Sequence, residues 1–388
     1  MNALRFTVTH SDTETKARTG LLETPHGAVE TPTFMPVGTL GTVKGLTQEQ
    51  LEELGVQILL ANTYHLYLRP GEQVVKEVGG LHRLMSWSRA ILTDSGGFQV
   101  YSLRALRKIT DEGVEFRSHL DGSRHLLSPE RAVEIQVALG SDIMMVLDEC
   151  TEYPASHVEA QKAMERTIHW AARSRTVWEK LCRDQEERGQ AGMPVPTGAL
   201  FGIVQGGVYP ELRRECAGRL AEMDFPGYAL GGLSLGEARP ITMELVAAAR
   251  EFLPETKPRY VMGVGLPEEL PQYVAQGVDM MDCVLPTRNG RNGLLFTSQG
   301  RVHIRQTRYA RDTRPVDESC RCPACRRYSR AYLRHLFVSG EMLGGILNSC
   351  HNLFFYLDTM RRIRQTIAAG DFSRFLVDFS RRLQGEAP

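Results

Sequence analysis

The stretch Val278-Asp279-Met280-Met281-Asp282-Cys283-Val284 decides how this chain is read. It is a short, largely apolar, β-prone run in which Asp282 stands between Met281 and Cys283. A bare capping role explains Asp282 poorly in that setting, so a working carboxylate is expected there. Toward the N-terminus seven more runs of the same kind occur, at 259–264, 228–230, 200–204, 142–147, 90–92, 56–61 and 33–37. Their near-continuous apolar character suits strands buried on both faces, as in a parallel sheet. Helical patterns lie between most of them, at 47–54, 128–139, 157–188, 209–223, 241–252 and 267–276. Ser128-Pro129-Glu130 is a helix start, a cap residue followed by proline in the first turn. Eight strands with intervening helices predict an α/β fold, an irregular (β/α)8 TIM barrel, in preference to a doubly wound open sheet.

Two stretches depart from the repeat. Residues 113–127 read as a hairpin around Asp121-Gly122, and the segment before the first barrel strand reads as hairpin material that plugs the barrel's N-terminal mouth. The Gly/Pro loop at 191–197 reads as a connection. All 388 residues are therefore expected to form a single catalytic barrel domain, with a subdomain at about 300–355.

Composition narrows the class. Hydrophobic residues make up 42% of the chain and the formal net charge is zero. That supplies a sizeable core and excludes a mainly disordered chain. No apolar segment follows Met1 as in a signal peptide, and no run approaches the ~18 apolar residues of a membrane span. Cysteines are scattered except for Cys320, Cys322 and Cys325. Scattered thiols point to a reducing, cytoplasmic setting, and the crowd points to metal rather than disulfides. Between Arg301 and Arg334 stand ten arginines, no lysine and three acids, Asp312, Asp317 and Glu318. Arginine's planar fork suits phosphate, so this local patch suggests a polyanion.

Cys320-Arg321-Cys322-Pro323-Ala324-Cys325 supplies three thiolates, and His351 follows 26 residues after Cys325. Cys3His is a standard closed zinc set, with no open position and hence a structural role. Cys350, beside His351, is the rival fourth ligand.

In a (β/α)8 barrel the chemistry collects where strands end. The strand ends here carry Asn62-Thr63-Tyr64-His65, Asp94-Ser95-Gly96-Gly97-Phe98-Gln99, Asp148-Glu149-Cys150, Gln205-Gly206-Gly207, Gly231-Gly232-Leu233-Ser234-Leu235-Gly236-Glu237, Met262-Gly263 and Asp282-Cys283. Asp94, Asp148 and Asp282 thus meet on one rim. Neighbouring carboxylates have their pKa values driven apart, which allows one nucleophile and one general acid/base at a glycosidic bond. Glycines admit a flat ligand close to the backbone. Gln205 and free amides can read its edge, and Phe98 and Met262 can sandwich its faces. The residues describe a pocket for a planar heterocycle beside a sugar, without saying which aspartate is the nucleophile.

Taken in order, Asp94-Ser-Gly-Gly-Phe-Gln, Asp148-Glu-Cys, Gln205-Gly-Gly, Gly231-Gly-Leu-Ser-Leu-Gly-Glu, Asp282-Cys-Val-Leu-Pro-Thr-Arg-Asn-Gly-Arg and the Cys3His set resemble the tRNA-guanine transglycosylases over essentially the whole chain. The resemblance implies exchange of guanine at the anticodon wobble position of tRNA for 7-aminomethyl-7-deazaguanine, in queuosine biosynthesis. By that resemblance Asp282 is the nucleophile that holds a covalent RNA intermediate, and Asp94 is the general acid/base. Ser95, Gly96, Gly97, Phe98, Asp148, Cys150, Gln205, Gly232, Leu233 and Met262 would bind the base. The Leu233 carbonyl would take the aminomethyl group. RNA contacts would come from Gly263, Val264, Gly265, Leu266, Pro267, Glu268 and Glu269, and from Thr287, Arg288, Asn289, Gly290 and Arg291. One zinc on Cys320, Cys322, Cys325 and His351 would support tRNA docking and a homodimer.

The chain resembles the bacterial form, without the added C-terminal RNA-binding domain of the archaeal kind. Leu235 departs from the valine expected there, and its bulk should disfavour queuine and favour the smaller aminomethyl base. The alternative function is a noncatalytic zinc-containing tRNA-binding paralogue, against which both Asp94 and Asp282 stand. A metal-dependent hydrolase would need histidines at several strand ends, and a glycoside hydrolase would leave the arginine-rich lobe unexplained.

Overall fold

The computed structural model describes residues 4–98, 107–188 and 198–383. Gln99 and the loop at 191–197 fall outside the described residues. The chain opens with an antiparallel meander of β1 (Arg5–Ser11), β2 (Arg18–Thr24) and β3 (Gly27–Thr31), then runs through β4 (Thr33–Pro36), β5 (Ile58–Ala61) and β6 (Ala90–Thr93). An inserted antiparallel sheet follows, β7 (Arg107–Thr110), β8 (Gly113–Arg117) and β9 (Arg124–Leu127). After it come β10 (Ile143–Met145), β11 (Ala199–Val204), β12 (Gly227–Leu230), β13 (Arg259–Val261) and β14 (Met280–Cys283), and finally the hairpin β15 (Leu294–Thr297) and β16 (Gly300–His303).

β4, β5, β6 and β10 to β14 pair in parallel in chain order, and β14 returns to β4. A bridge between Val37 and Leu60 closes β4 onto β5. This is the expected (β/α)8 barrel. Every residue of its eight strands is buried, because helices cover the outer face while side chains fill the inside. The expected run at 259–264 is strand over Arg259–Val261, with one last backbone bond from Met262 N to Leu230 O, before Gly263 (φ 67°) turns the chain out of the sheet. The run at 142–147 is strand over Ile143–Met145, with further backbone bonds to the neighbouring strands at Asp142 and Val146. Asp142 there is taken up by side chains from elsewhere.

The helices start where their caps predict. Ser128 Oγ accepts from Arg131 N ahead of Pro129–Leu139, and Thr47 and Gln50 form a reciprocal capping box. The irregularity lies between β5 and β6. Three short helices, Thr63–Leu68, Glu72–Glu77 and Leu81–Met85, replace one crossover helix. Pro70-Gly71 and Gly79-Gly80 break them.

The meander covers the N-terminal mouth. Arg18 pairs with Asp279 at 2.6 Å just before β14, and His26 Nδ1 lies 2.7 Å from Asp142 Oδ1 just before β10. The hairpin expected at 113–127 is β8–β9, to which β7 adds a strand.

Beyond β14 a second buried cluster forms around Leu295, Val302, Ile304, Tyr309, Val316, Leu333 and Leu336, together with Cys322 and Cys325. Its spine is the helix Met342–Ala369. That helix begins nine residues before His351, which therefore sits inside it. Eight of the ten arginines from Arg301 to Arg334 are exposed.

Candidate active site

All three aspartates open onto one cavity of about 520 Å³ at the C-terminal ends of the strands. Asp94 is the first residue past β6. Its Oδ1 accepts from Thr63 N (2.8 Å) and Gly96 N (3.2 Å), and its Oδ2 accepts from Asn62 Nδ2 (2.5 Å). Asp282 lies within β14, where Oδ1 accepts from the Tyr260 hydroxyl (2.5 Å) and from Gly263 N (2.8 Å). Burial pushes the Asp282 carboxyl up, and these two donors pull it back. Asp148 follows β10; its Oδ2 accepts from Gln205 Nε2 (2.7 Å) and its Oδ1 from Ser95 Oγ (3.2 Å). Burial pushes Asp148 up to about 6 against those hydrogen bonds. Two carboxylates thus carry distinct donor sets on one wall, while Asp148 and Gln205 form a joint acceptor-and-donor edge.

The cavity is also lined by Ser95, Phe98, Cys150, Gln205, Gly232, Leu233 and Met262. Phe98 stands at the rim, half exposed, with Met262 on the cavity wall. Gly96 and Gly97 serve from behind: a Cβ on Gly97 would sit 2.9 Å from Asp148 O, and one on Gly96 3.3 Å from Tyr64 N. Of the segments assigned to RNA, Gly263, Val264, Gly265, Leu266, Glu269 and Arg288 line the cavity. Pro267 is buried, Glu268 pairs with Arg301 at 2.6 Å, and Glu269 pairs with Arg239. Thr287 to Arg291 form part of the helix Leu285–Arg291. Arg288 and Arg291 point to solvent and Asn289 is half-buried, whereas Thr287 and Gly290 are buried. Gly290 lies against the long helix, where an added Cβ would meet Ser349 N at 2.7 Å.

Sequence reasoning missed the residues that hold these groups. Tyr260 is fully buried in β13; a tyrosine in a buried strand needs a partner for its hydroxyl, which was the available signal. Glu237 accepts from Ser234 N, Leu235 N (2.9 Å) and Thr242 Oγ1 (2.9 Å), fixing the loop after β12 in a form that puts Ser234 at φ 57°. Arg213 falls on the buried stripe of the helix Pro210–Glu222.

Cys320, Cys322, Cys325 and His351 bring four ligand atoms within 4.8 Å of one another. His351 Nε2 lies 2.8 Å from Phe296 O, which can only accept. That nitrogen therefore carries the proton and Nδ1 presents its lone pair to the three sulfurs, 3.2 to 3.7 Å away. The donor set fits one zinc ion, and Cys350 is outside it. Next door, Asn352 bonds Phe296 N, Leu294 O and Pro286 O. Adjacent residues of one helix thus tie the metal cluster to the chain that leaves Asp282. His26, His82 and Asp142 also lie within 4.8 Å, but His82 Nε2 is already shared between Asp142 Oδ2 and Arg89 O, at 3.1 Å each.

Fold and site define a (β/α)8-barrel enzyme with three aspartates around one cavity at the C-terminal ends of its strands. Residues 12–385 match the family profile described as "Queuine tRNA-ribosyltransferase". Proteins so named share 58% identity over 374 residues in Koribacter versatilis (strain Ellin345), covering 96% of each chain, and 55% over 377 residues in Solibacter usitatus (strain Ellin6076), covering 97% of each. That of Thermoanaerobacter pseudethanolicus (strain ATCC 33223 / 39E) shares 53% over 382 residues, 98% of each chain. The chain belongs to the queuine tRNA-ribosyltransferase family. Among the described residues no helix is long and apolar enough to cross a membrane.

Proposed function

We propose that this enzyme removes guanine from the wobble position of a tRNA anticodon and installs 7-aminomethyl-7-deazaguanine, as a step toward queuosine. Family membership carries the tRNA-ribosyltransferase activity. The observation that carries the mechanism is the placing of Asp282 and Asp94 on one cavity with the Asp148–Gln205 edge.

In this reading an Asp282 oxygen attacks the ribose anomeric carbon as the bond to guanine breaks, and the RNA is held as an ester. Tyr260 and Gly263 aim the carboxylate. Asp94 supplies the proton that the departing guanine takes and later receives one from the incoming base. The new base then attacks the same carbon and frees Asp282, so proton and bond count return to the start. Asp148, Gln205 and the Gly232 amide read the base edge, the Leu233 carbonyl takes the aminomethyl group, and Phe98 and Met262 flank the ring. Arg288 and Arg291 meet RNA phosphate, with the exposed arginines after Arg301 extending that surface. Leu235 narrows the cavity it lines and favours the small substituent. The zinc ion holds the lobe at about 300–355 on a single catalytic barrel domain. The protein works in the cytoplasm as a homodimer.

Labelled guanine and unmodified tRNA test the reading. Label should enter the RNA, and 7-aminomethyl-7-deazaguanine should chase it out while queuine does not. Tight tRNA binding without any base exchange would contradict it.

A further inference from the structure

The helix Pro210–Glu222 buries Leu212, Arg213, Cys216, Ala217 and Leu220. An arginine on such a stripe is costly unless its donors are satisfied. Arg213 is 0% exposed. Burial brings its guanidinium down to about 10, so it stays charged at neutral pH. Its partners are three backbone carbonyls and no carboxylate: Nε donates to Gly207 O (2.8 Å), Nη1 to Gly231 O (3.0 Å) and Nη2 to Gly232 O (3.0 Å). One side chain therefore spans the loops that leave β11 and β12.

Peptide geometry makes this consequential. In a planar trans peptide the C=O and the next N–H point opposite ways. With Gly231 O turned onto Arg213, the Gly232 N–H faces away from it. With Gly232 O turned the same way, the Leu233 N–H does too. The same glycines leave room for Gln205: a Cβ on Gly231 would lie 2.7 Å from Gln205 Nε2, and one on Gly232 2.5 Å from Gln205 Oε1. Gln205 in turn donates to Asp148. Arg213 itself is not on the cavity wall.

We propose that Arg213 is a positioning residue for the heterocycle. By fixing the Gly207, Gly231 and Gly232 carbonyls it presents the Gly232 amide, Gln205 and Asp148 as one rigid surface. This rests on the base-exchange reading above. Asp282 and Asp94 are held by other residues, so the effect should fall on base recognition rather than on RNA binding.

The test compares wild type, Arg213→Met and Arg213→Lys in the guanine-exchange assay, with KM taken separately for guanine and for tRNA. Arg213→Met should raise KM for guanine by about tenfold or more while KM for tRNA moves by less than about twofold. Arg213→Lys should fall between, because an ammonium is a point donor that cannot span three carbonyls. If Arg213→Met does not fold, the KM split in Arg213→Lys decides. An unchanged guanine KM, or equal rises in both KM values, would overturn the proposal. Absence of exchange in the wild-type protein would bring down base exchange itself, and this role with it.

Discussion

Tyr260 and Asp282 face each other across adjacent barrel strands, with the phenol donating a 2.5 Å hydrogen bond to the carboxylate. This bond holds the Asp282 carboxyl below where burial alone would put it. A Tyr260→Phe protein should therefore need a higher pH to ionise Asp282. The acid limb of kcat/KM should move upward in pH, and kcat should fall by roughly tenfold. A pH–rate profile identical to wild type would show that the bond does not tune Asp282 in its proposed role as nucleophile.

Asp148 makes a prediction about stability. Burial pushes its folded-state carboxyl up to about 6, above the ordinary aspartate value of 3.8. The native protein then binds this proton more readily than the unfolded chain does. Ionised Asp148 is a burden above pH 6, on the order of 3 kcal/mol, and the burden disappears as pH falls toward the unfolded value. Asp148→Asn should accordingly melt above wild type at pH 8, with the gap closing below about pH 4. Guanine affinity of the wild type should also weaken as pH falls through 6, and that dependence should vanish in the variant. Thermal melts and guanine titrations across pH check both.

Zinc removal should act through His351 and Asn352. Chelation, or Cys320→Ala, frees His351 from the cluster that holds it against Phe296 O. The lobe has a small core of its own, and structural zinc sites contribute on the order of 10 kcal/mol to such units. Proteolysis should cut first between residues 300 and 340, and tRNA affinity should drop by about tenfold or more. Unchanged tRNA binding after confirmed metal loss would contradict the assigned role.

Gly290 marks where the helix after Asp282 touches the long helix. An alanine methyl would meet the Ser349 backbone, and such overpacking typically costs about 1–3 kcal/mol. Gly290→Ala should lower Tm and weaken tRNA binding, since the helix carrying Arg288 and Arg291 must shift. Guanine affinity should stay close to wild type.

The sequence made the barrel legible because eight buried strands need apolar runs and their helices need caps. Its strand ends also named the three aspartates that line one cavity, since they stand just beyond or within those runs. What escaped was whatever depends on long-range contact. Asp142 looked like strand because nothing local reveals His26 and His82 waiting for it. Thr287 and Gly290 looked like surface because their burial comes from a helix about 60 residues on. Arg213 went unnoticed because its acceptors are backbone atoms, which carry no sequence signature.

The most direct test of the central claim is a covalent protein–RNA adduct on a denaturing gel. The enzyme is mixed with tRNA bearing guanine at the wobble position and with a base analogue that stalls the second step, beside Asp282→Asn. A shifted band that disappears in Asp282→Asn is the predicted result. A band that persists in that variant would move the nucleophile to another carboxylate and contradict the account.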